Sequence, residues 1–167
     1  MKNGSRMSVT QLKMMALVAI VLLMAGCASP KSAERDAETG KAVAEALAGR
    51  HLRISVRSMN PFRYASRTVA YGYYLEIKGD TLESRLPYMG QVHQTAAISP
   101  EGLNFEAPII GYSETRPKKG LTRIELSVRT REDLYHYILE IYDSGSAFIR
   151  VRGQNRDSIS FDGSCDV

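Results

Sequence analysis

The side chains that most often carry out chemistry are few in this sequence, and their spacing matches no common metal-binding pattern. Its three histidines, His51, His93 and His136, include no pair two or four residues apart, and no cysteine stands beside them. Zinc sites usually contain such short spacings between their ligands. The sequence therefore predicts no metal site, and nothing in it indicates a cofactor.

The sequence also contains no common motif for nucleophilic catalysis or phosphate binding. The chain lacks Gly-x-Ser-x-Gly, Gly-x-Gly-x-x-Gly and the phosphate-binding Gly-Lys-Ser/Thr sequence. The serines of Asp143-Ser-Gly-Ser146 stand in a stretch that is typical of a hairpin turn. We predict a protein that is not an enzyme; the alternative is a hydrolase whose serine, histidine and aspartate meet only after folding.

Tyrosines are the most suggestive polar side chains. Tyr71, Tyr73, Tyr135 and Tyr137 fall on strand faces predicted to be buried, and Tyr88 stands between a proline and a glycine. Buried phenol hydroxyls need hydrogen-bond partners. We predict that Tyr88 closes one end of the domain with its hydroxyl in water and that the other four lie at a rim. In the alternative, Tyr88 contacts a ligand and the four line a polar-tipped cavity.

The most apolar run of the chain, residues 14–25, follows the basic residues Lys2, Arg6 and Lys13, and residues 1–27 include no acidic residue. A helix that spans the membrane needs about 20 apolar residues, whereas the core of a secretory signal peptide needs about 7 to 15. The length of the run therefore favours a signal peptide over a membrane span or a buried helix.

The end of this run, Leu23-Met24-Ala25-Gly26-Cys27, resembles the lipobox of bacterial lipoproteins. The resemblance implies cleavage after Gly26 and acylation of Cys27 with fatty chains such as palmitate. Met24 stands where these proteins most often have leucine. We therefore expect a signal peptide over residues 1–26, a lipidated tether over 27–31 and a single β domain over 32–167; an ordinary signal peptide with a free cysteine is the alternative.

Removal of the leader changes the charge of the protein. The full chain has a net charge of +4, but three of its 22 Lys and Arg precede residue 28, which leaves 19 against 18 Asp and Glu. Nucleic-acid binding thereby loses its main support. Cys165 is the remaining cysteine, so an intramolecular disulfide is excluded. We predict a small residue at the chain end, with an intermolecular bridge or a reactive thiol as the alternative.

The hydrophobic pattern changes its period at His51. Before it, Ser32 is a plausible N-cap and Gly49 a plausible end for one alanine-rich helix that packs on the domain. After it, apolar residues alternate with polar ones in short segments separated by turns. The clearest segments are residues 53–57, 69–77, 81–86, 103–105, 124–128, 135–141 and 149–151. We predict a mainly β fold, an antiparallel meander of eight to ten strands that forms a small barrel or, alternatively, a sandwich.

One heptapeptide, Arg85-Leu-Pro-Tyr-Met-Gly-Gln91, resembles the Leu-Pro-Tyr-Phe-Gly-Arg signature of a family of Bacteroidetes lipoproteins, domain of unknown function 4251. Met89 replaces the family's phenylalanine and Gln91 its arginine. Further matches follow in order: Gly79-Asp80, Gly102-Leu-Asn-Phe105, Lys119-Gly120, Gly145-Ser-Ala147 and Ile159-Ser-Phe-Asp-Gly163. The resemblance implies a lipidated envelope domain with a mostly β fold and supplies no catalytic residues.

Two functions are consistent with these observations. The first is a non-enzymatic, lipid-anchored module that binds an envelope protein or stabilises an assembly; the alternative is a barrel that carries a small apolar or lipid-like ligand. Related lipoproteins exported to the cell surface carry acidic residues after the cysteine, but residues 28–33 contain none. We therefore expect an anchor in the outer membrane with the domain facing the periplasm.

Overall fold

The computed structural model describes residues 30–93 and 103–167, in which one helix precedes nine strands. Helix α1 spans Pro30–Ala48. The strands are β1 (His51–Pro61), β2 (Arg67–Thr68), β3 (Tyr74–Lys78), β4 (Thr81–Leu86), β5 (Leu103–Lys118), β6 (Leu121–Arg129), β7 (Leu134–Tyr142), β8 (Ser146–Gly153) and β9 (Ile159–Cys165). Asp36–Val167 form one compact unit. None of the helices within the described ranges has the length and apolar character needed to cross a membrane.

The predicted helix is present, but its first residue differs from the prediction. It begins at Pro30 and not after Ser32, because the fixed φ of proline and its missing amide hydrogen suit the first helical position. Its end agrees with the prediction, since the Gly49 amide donates to the Glu45 carbonyl oxygen over 2.9 Å and the strand begins at His51.

Eight of the strands form a closed antiparallel barrel. From β3 to β9, each strand pairs with the strand that follows it along the chain. β1 pairs with both β3 and β9 and so closes the ring. The two-residue strand β2 pairs with β1 outside the ring. The predicted antiparallel barrel is therefore confirmed, and the sandwich alternative does not occur. Closure leaves the ring without unpaired edges.

Tight turns join the strands at one end of the barrel, which we call the helix end. The β5–β6 turn contains Gly120 with φ of 77°, and the β7–β8 turn contains Gly145 with φ of 80°, values that favour glycine. A methyl group on Gly145 would lie 3.0 Å from the Thr39 side chain of α1, so the helix lies against this end. The opposite, loop end holds residues 62–73, 87–93, 130–133 and 154–158.

The interior is filled by one hydrophobic cluster. Successive strands contribute inward side chains with no solvent exposure, including Leu82, Leu103, Ile124, Leu139, Ile149 and Phe161. Val43 and Leu47 of α1 join the same cluster from the helix end. Burial of a Leu, Ile or Phe side chain contributes about 1.5–3 kcal/mol. The alternation seen in the sequence is thus explained by a packed barrel core.

The strand predicted over residues 69–77 is wrong in its first half. β3 begins only at Tyr74, and Gly72 adopts φ of 101° in the turn before it. Along this stretch β1 pairs with β2 through Ser58 and Met59, and the Val69 amide and the Tyr73 carbonyl still bond to Arg57 and Val56 of β1, so residues 70–72 form a turn outside the strand pairing. Tyr71 is consequently fully exposed, although the alternation predicted it to be buried.

Candidate functional site

Tyr88, from the heptapeptide that interrupts the strand pattern, lies at the loop end of the barrel. Its ring centroid is 5.0 Å from the Arg156 guanidinium carbon. The hydroxyl, predicted to face water, instead donates to the main chain, with the carbonyl oxygens of Gln91 and Asp157 both at 3.1 Å. A methyl group on Gly90 would come within 2.5 Å of this hydroxyl oxygen. Tyr88 and Gly90 of the heptapeptide therefore pack directly against each other, and a side chain at Gly90 would displace the tyrosine hydroxyl.

Arg156 is a buried cation at the centre of this end. Its side chain is 2% exposed, and its guanidinium lies between the rings of Tyr88 and Tyr135, at 5.0 and 5.2 Å from their centroids. Its Nη2 donates to Glu132 at 3.5 Å, and its Nε is 3.9 Å from the Asp133 carboxylate. Aromatic faces attract a cation more strongly when water is excluded. The arginine therefore holds three loops together.

Asp133 organises the loops around this arginine. Its carboxylate, 1% exposed, accepts hydrogen bonds from the amides of Leu134, Gln154 and Asn155 at 2.8, 3.0 and 3.1 Å, and from the Asn155 side chain at 3.3 Å. These donors satisfy a polar group that water does not reach. The sequence does not distinguish Asp133 or Arg156, because their segments differ little from ordinary polar loops.

A second carboxylate, Asp157, lies beside the same cluster. It accepts a hydrogen bond from the Gln91 amide at 3.2 Å and from Arg63 Nε at 2.9 Å, and His93 Nε2 is 3.1 Å from it. The Gln91 amide, together with Arg63, lowers the pKa of the Asp157 carboxyl. These contacts link residues 91–93 to the β8–β9 loop and do not produce an accessible reactive group.

The side chains of Tyr135 and Tyr137 are buried in the barrel core and not at a solvent-exposed rim. Tyr135 is stacked on Phe105 with ring centroids 5.2 Å apart, and burial raises its pKa to about 12. Tyr137 is completely buried, and its hydroxyl donates to Ser84 Oγ at 3.3 Å. Burial also raises the pKa of Tyr137 far above its usual value. Neither phenol is placed to contact a ligand in solvent.

The other predicted site residues are scattered. Tyr71 is exposed outside the ring, and Tyr73 is half-buried beside β1, where its carbonyl accepts the Val56 amide at 2.9 Å. Burial raises the pKa of the Cys165 thiol to about 11, which disfavours the reactive thiolate. The predicted cleavage and lipidation positions, Gly26 and Cys27, lie outside the described residues.

The histidines do not form a catalytic or metal-binding group within the described ranges. His136 Nδ1 lies 2.8 Å from Ser127 Oγ on the exposed barrel wall, and no carboxylate of the described residues forms an ion pair with that ring. His93 has Asp157 as its partner but no serine, and His51 is exposed. Over residues 30–93 and 103–167, no three His, Cys, Asp or Glu side chains are close enough to hold a metal ion.

Glu83 is an unusually well-bonded carboxylate on the outer face of β4. Its side chain, 11% exposed, accepts hydrogen bonds from Lys78 Nζ and the Tyr74 hydroxyl at 2.7 Å each, and from Arg85 Nε at 3.3 Å. The Lys78 hydrogen bond, followed by that of Tyr74, lowers the pKa of Glu83 to about 2. The charged form of this carboxylate therefore stabilises the native barrel.

We expect the Glu83→Gln variant to be less stable than the parent by about 1 kcal/mol at pH 7, because Lys78 and Arg85 are half exposed and water screens them. A native pKa below the unfolded one contributes stability above about pH 5 that is lost as the pH falls towards 2. The difference in stability between the two proteins should therefore shrink with acidification.

Urea unfolding at pH 7 and pH 3 measures this difference in stability. Glu106→Gln, at an exposed position opposite Glu83 on β5, is the control, and a difference independent of pH would contradict the prediction.

At the helix end, a groove of about 420 Å³ lies between α1 and the β5–β6 hairpin. Val43, Ala44, Leu47 and Leu121 form an apolar floor, and Gly40, Gly120 and Thr122 complete the walls together with the charged residues Arg116, Lys118, Lys119 and Asp143. The hairpin extends past the barrel, since every residue from Ser113 to Lys119 is exposed. This amphipathic groove is the candidate binding site of the domain.

Comparison with known proteins agrees with this architecture. A crystal structure of a DUF4251 family protein from Bacteroides eggerthii matches with a TM-score of 0.60 at 11% identity, over 77% of this chain and 87% of that chain. At this identity the likeness shows the fold alone. Among curated proteins, none matches. The sequence profile of the domain of unknown function DUF4251 matches residues 34–165, and the chain therefore belongs to the DUF4251 family.

Proposed function

We propose that the mature protein is a lipid-anchored module of the cell envelope that binds or stabilises other envelope components and does not catalyse a reaction. Its family is defined only as a domain of unknown function, so the proposal depends on this chain's own features. The basic, apolar leader that ends at Cys27 supports the anchor. The buried, fully hydrogen-bonded carboxylate of Asp133 supports a structural role for the loop end of the barrel.

The packed interior is the observation that favours a scaffold over a carrier. Lipocalin-like carriers keep a cavity inside the barrel for one small ligand. Here Tyr137, Leu139 and Phe161 occupy inward positions without solvent exposure and belong to one continuous cluster. A ligand inside the ring would have to displace these side chains. Binding on the outer surface of a rigid barrel is therefore the better-supported function.

The anchor would hold the domain close to the membrane. Eight residues lie between Cys27 and Asp36, the first residue of the compact unit, and six of them belong to α1, so the segment spans less than the roughly 30 Å of an extended chain. Two or three acyl chains on one cysteine make a stable anchor, because each buried CH₂ adds about 0.8 kcal/mol. The lack of acidic residues in 28–33 supports a position on the periplasmic side of the outer membrane.

We expect the protein made in a bacterial host to carry its acyl chains on Cys27. Cells grown with an alkyne analogue of palmitate should label the parent, and mass spectrometry should find an N-terminal peptide that begins at acylated Cys27. Cys27→Ser should remove nearly all of the label. Cys165→Ser, which changes the other cysteine of the chain, should keep it. Label that persists in Cys27→Ser, or a mature N-terminus elsewhere, would overturn the anchor.

A further inference from the structure

We propose that the groove between α1 and the β5–β6 hairpin binds the anionic headgroup of a membrane phospholipid. The inference rests on the proposed lipid anchor, which would keep the groove near a membrane surface. It adds to that proposal a second, specific contact with the membrane. The headgroup phosphate would lie among Arg116, Lys118 and Lys119, and its glycerol would lie against the apolar floor.

The cations of the groove are free to bind an anion. Some exposed cations of the barrel pair with carboxylates, as in Arg50 with Asp80 at 2.6 Å and Arg123 with Glu140 at 2.6 Å. Arg116, Lys118 and Lys119 have no carboxylate within 4 Å in the described part of the chain, and all three line one groove together. Lys118 Nζ lies 5.9 Å from the centroid of the Tyr142 ring.

The charge balance of the groove favours an anionic group. Asp143 is the single carboxylate among its lining residues, so three cations face one anion. Glu114 lies two residues before Arg116 on the same strand, but its carboxylate accepts the Tyr112 hydroxyl at 3.3 Å. Phosphate is bound well where several Lys and Arg side chains converge. The hairpin tip therefore has a net positive charge that the barrel does not neutralise.

The floor of the groove distinguishes a lipid from a free anion. Val43, Leu47 and Leu121 are each less than 8% exposed, and Ala44 adds an exposed methyl group beside them. A volume of about 420 Å³ lies within the usual range of small-molecule sites. A phospholipid headgroup combines a phosphate with glycerol carbons, which matches cations at the rim and apolar side chains below. Inorganic phosphate would use only the rim.

The test uses the unlipidated chain from Ala28, which includes the whole compact unit Asp36–Val167, so its outcome does not depend on Cys27. Flotation with phosphatidylcholine vesicles, with and without phosphatidylglycerol, measures binding. Each Lys or Arg near an anionic surface strengthens binding about fivefold, so changing Arg116, Lys118 and Lys119 to Gln should weaken it about 100-fold. Arg67, Arg129 and Arg131, exposed at the loop end, are changed to Gln as the charge-matched control and should have a much smaller effect.

A second pair of variants tests the groove itself. Ala44→Glu places a carboxylate in the groove, whereas Ala48→Glu makes the same change at an exposed helix position that does not line it. We expect at least a tenfold loss for Ala44→Glu and little change for Ala48→Glu, with circular dichroism to confirm folding. The proposal would be overturned if each groove variant lost no more binding than its own control. Vesicle binding that does not need phosphatidylglycerol would overturn it too. Full competition by inorganic phosphate would indicate a free-anion site and overturn it as well.

Discussion

Replacement of Gly163 by alanine is expected to lower the free energy of unfolding by about 3 kcal/mol or more, the upper part of the range for overpacking. Gly163 lies on β9 where this strand closes the barrel, paired with Val56 of β1 and Ala147 of β8. A methyl group there would overlap the Ser55 carbonyl oxygen and lie 3.2 Å from Ile54 Cγ2. Because the obstacle is main chain, no side-chain rotation relieves it.

Urea denaturation of the parent and the variant measures this effect, and Gly111→Ala is the matched control. Gly111 is also a strand glycine, but a methyl group there would meet only the Ser127 side chain at 3.7 Å, an ordinary contact. The control should leave stability unchanged or raise it by about 0.4–1 kcal/mol, since alanine restricts the unfolded chain. A Gly163→Ala protein as stable as Gly111→Ala would show that the β1–β9 seam can relax, against our expectation.

Asp133→Ala is expected to destabilise the protein by about 3–5 kcal/mol, the usual effect of removing one partner of a buried ion pair. The variant leaves the buried Arg156 guanidinium without its Asp133 contact and removes the acceptor for three backbone amides. An unsatisfied buried donor costs about 1–3 kcal/mol, so partial exposure of these amides to water in the variant still leaves a loss in this range. The β6–β7 and β8–β9 loops should loosen together, because both depend on the same carboxylate.

The free energy of unfolding in urea again provides the measurement, with Asp80→Ala as the control. Asp80 is 86% exposed and pairs with Arg50 on the surface, so its loss should cost less than about 1 kcal/mol. Asp133→Asn keeps an oxygen acceptor without the charge and should fall between the parent and Asp133→Ala. If Asp133→Ala were no more harmful than Asp80→Ala, the loop end would not depend on this carboxylate.

Local sequence signals predicted most of the barrel. Alternating Leu, Ile, Val and Tyr residues indicated the inward faces of β3, β6 and β7, and Asp143-Ser-Gly-Ser146 indicated a hairpin turn that the structure contains. The strand predicted to begin at Val69 begins only at Tyr74, because β2 pairs with part of β1 in this region. The alternation of apolar and polar residues does not report such a tertiary effect. Tyr71 was placed on the wrong face for that reason.

The candidate site was much less predictable than the fold. In the sequence Lys119-Gly120 is only one of the matches to the family, since nothing local shows that α1 lies beside this segment and completes a groove. Asp133 and Arg156 stand in different loops, and their contact depends on how β7 and β8 pair. Polar residues in loops have no period of their own. Their partners therefore become evident only when the barrel is closed.

Closure of the ring through β1 and β9 also determines when the protein can finish folding. The β1–β9 pairs join residues as distant as Ile54 and Cys165. Every other strand pairing of the ring joins two strands that follow each other in the order of the chain. Bringing such distant segments together carries the largest loop-closure entropy in the fold. β1 therefore stays without its second partner until β9 is in place. A chain truncated before β9 would keep two open strand edges, which are sites of aggregation.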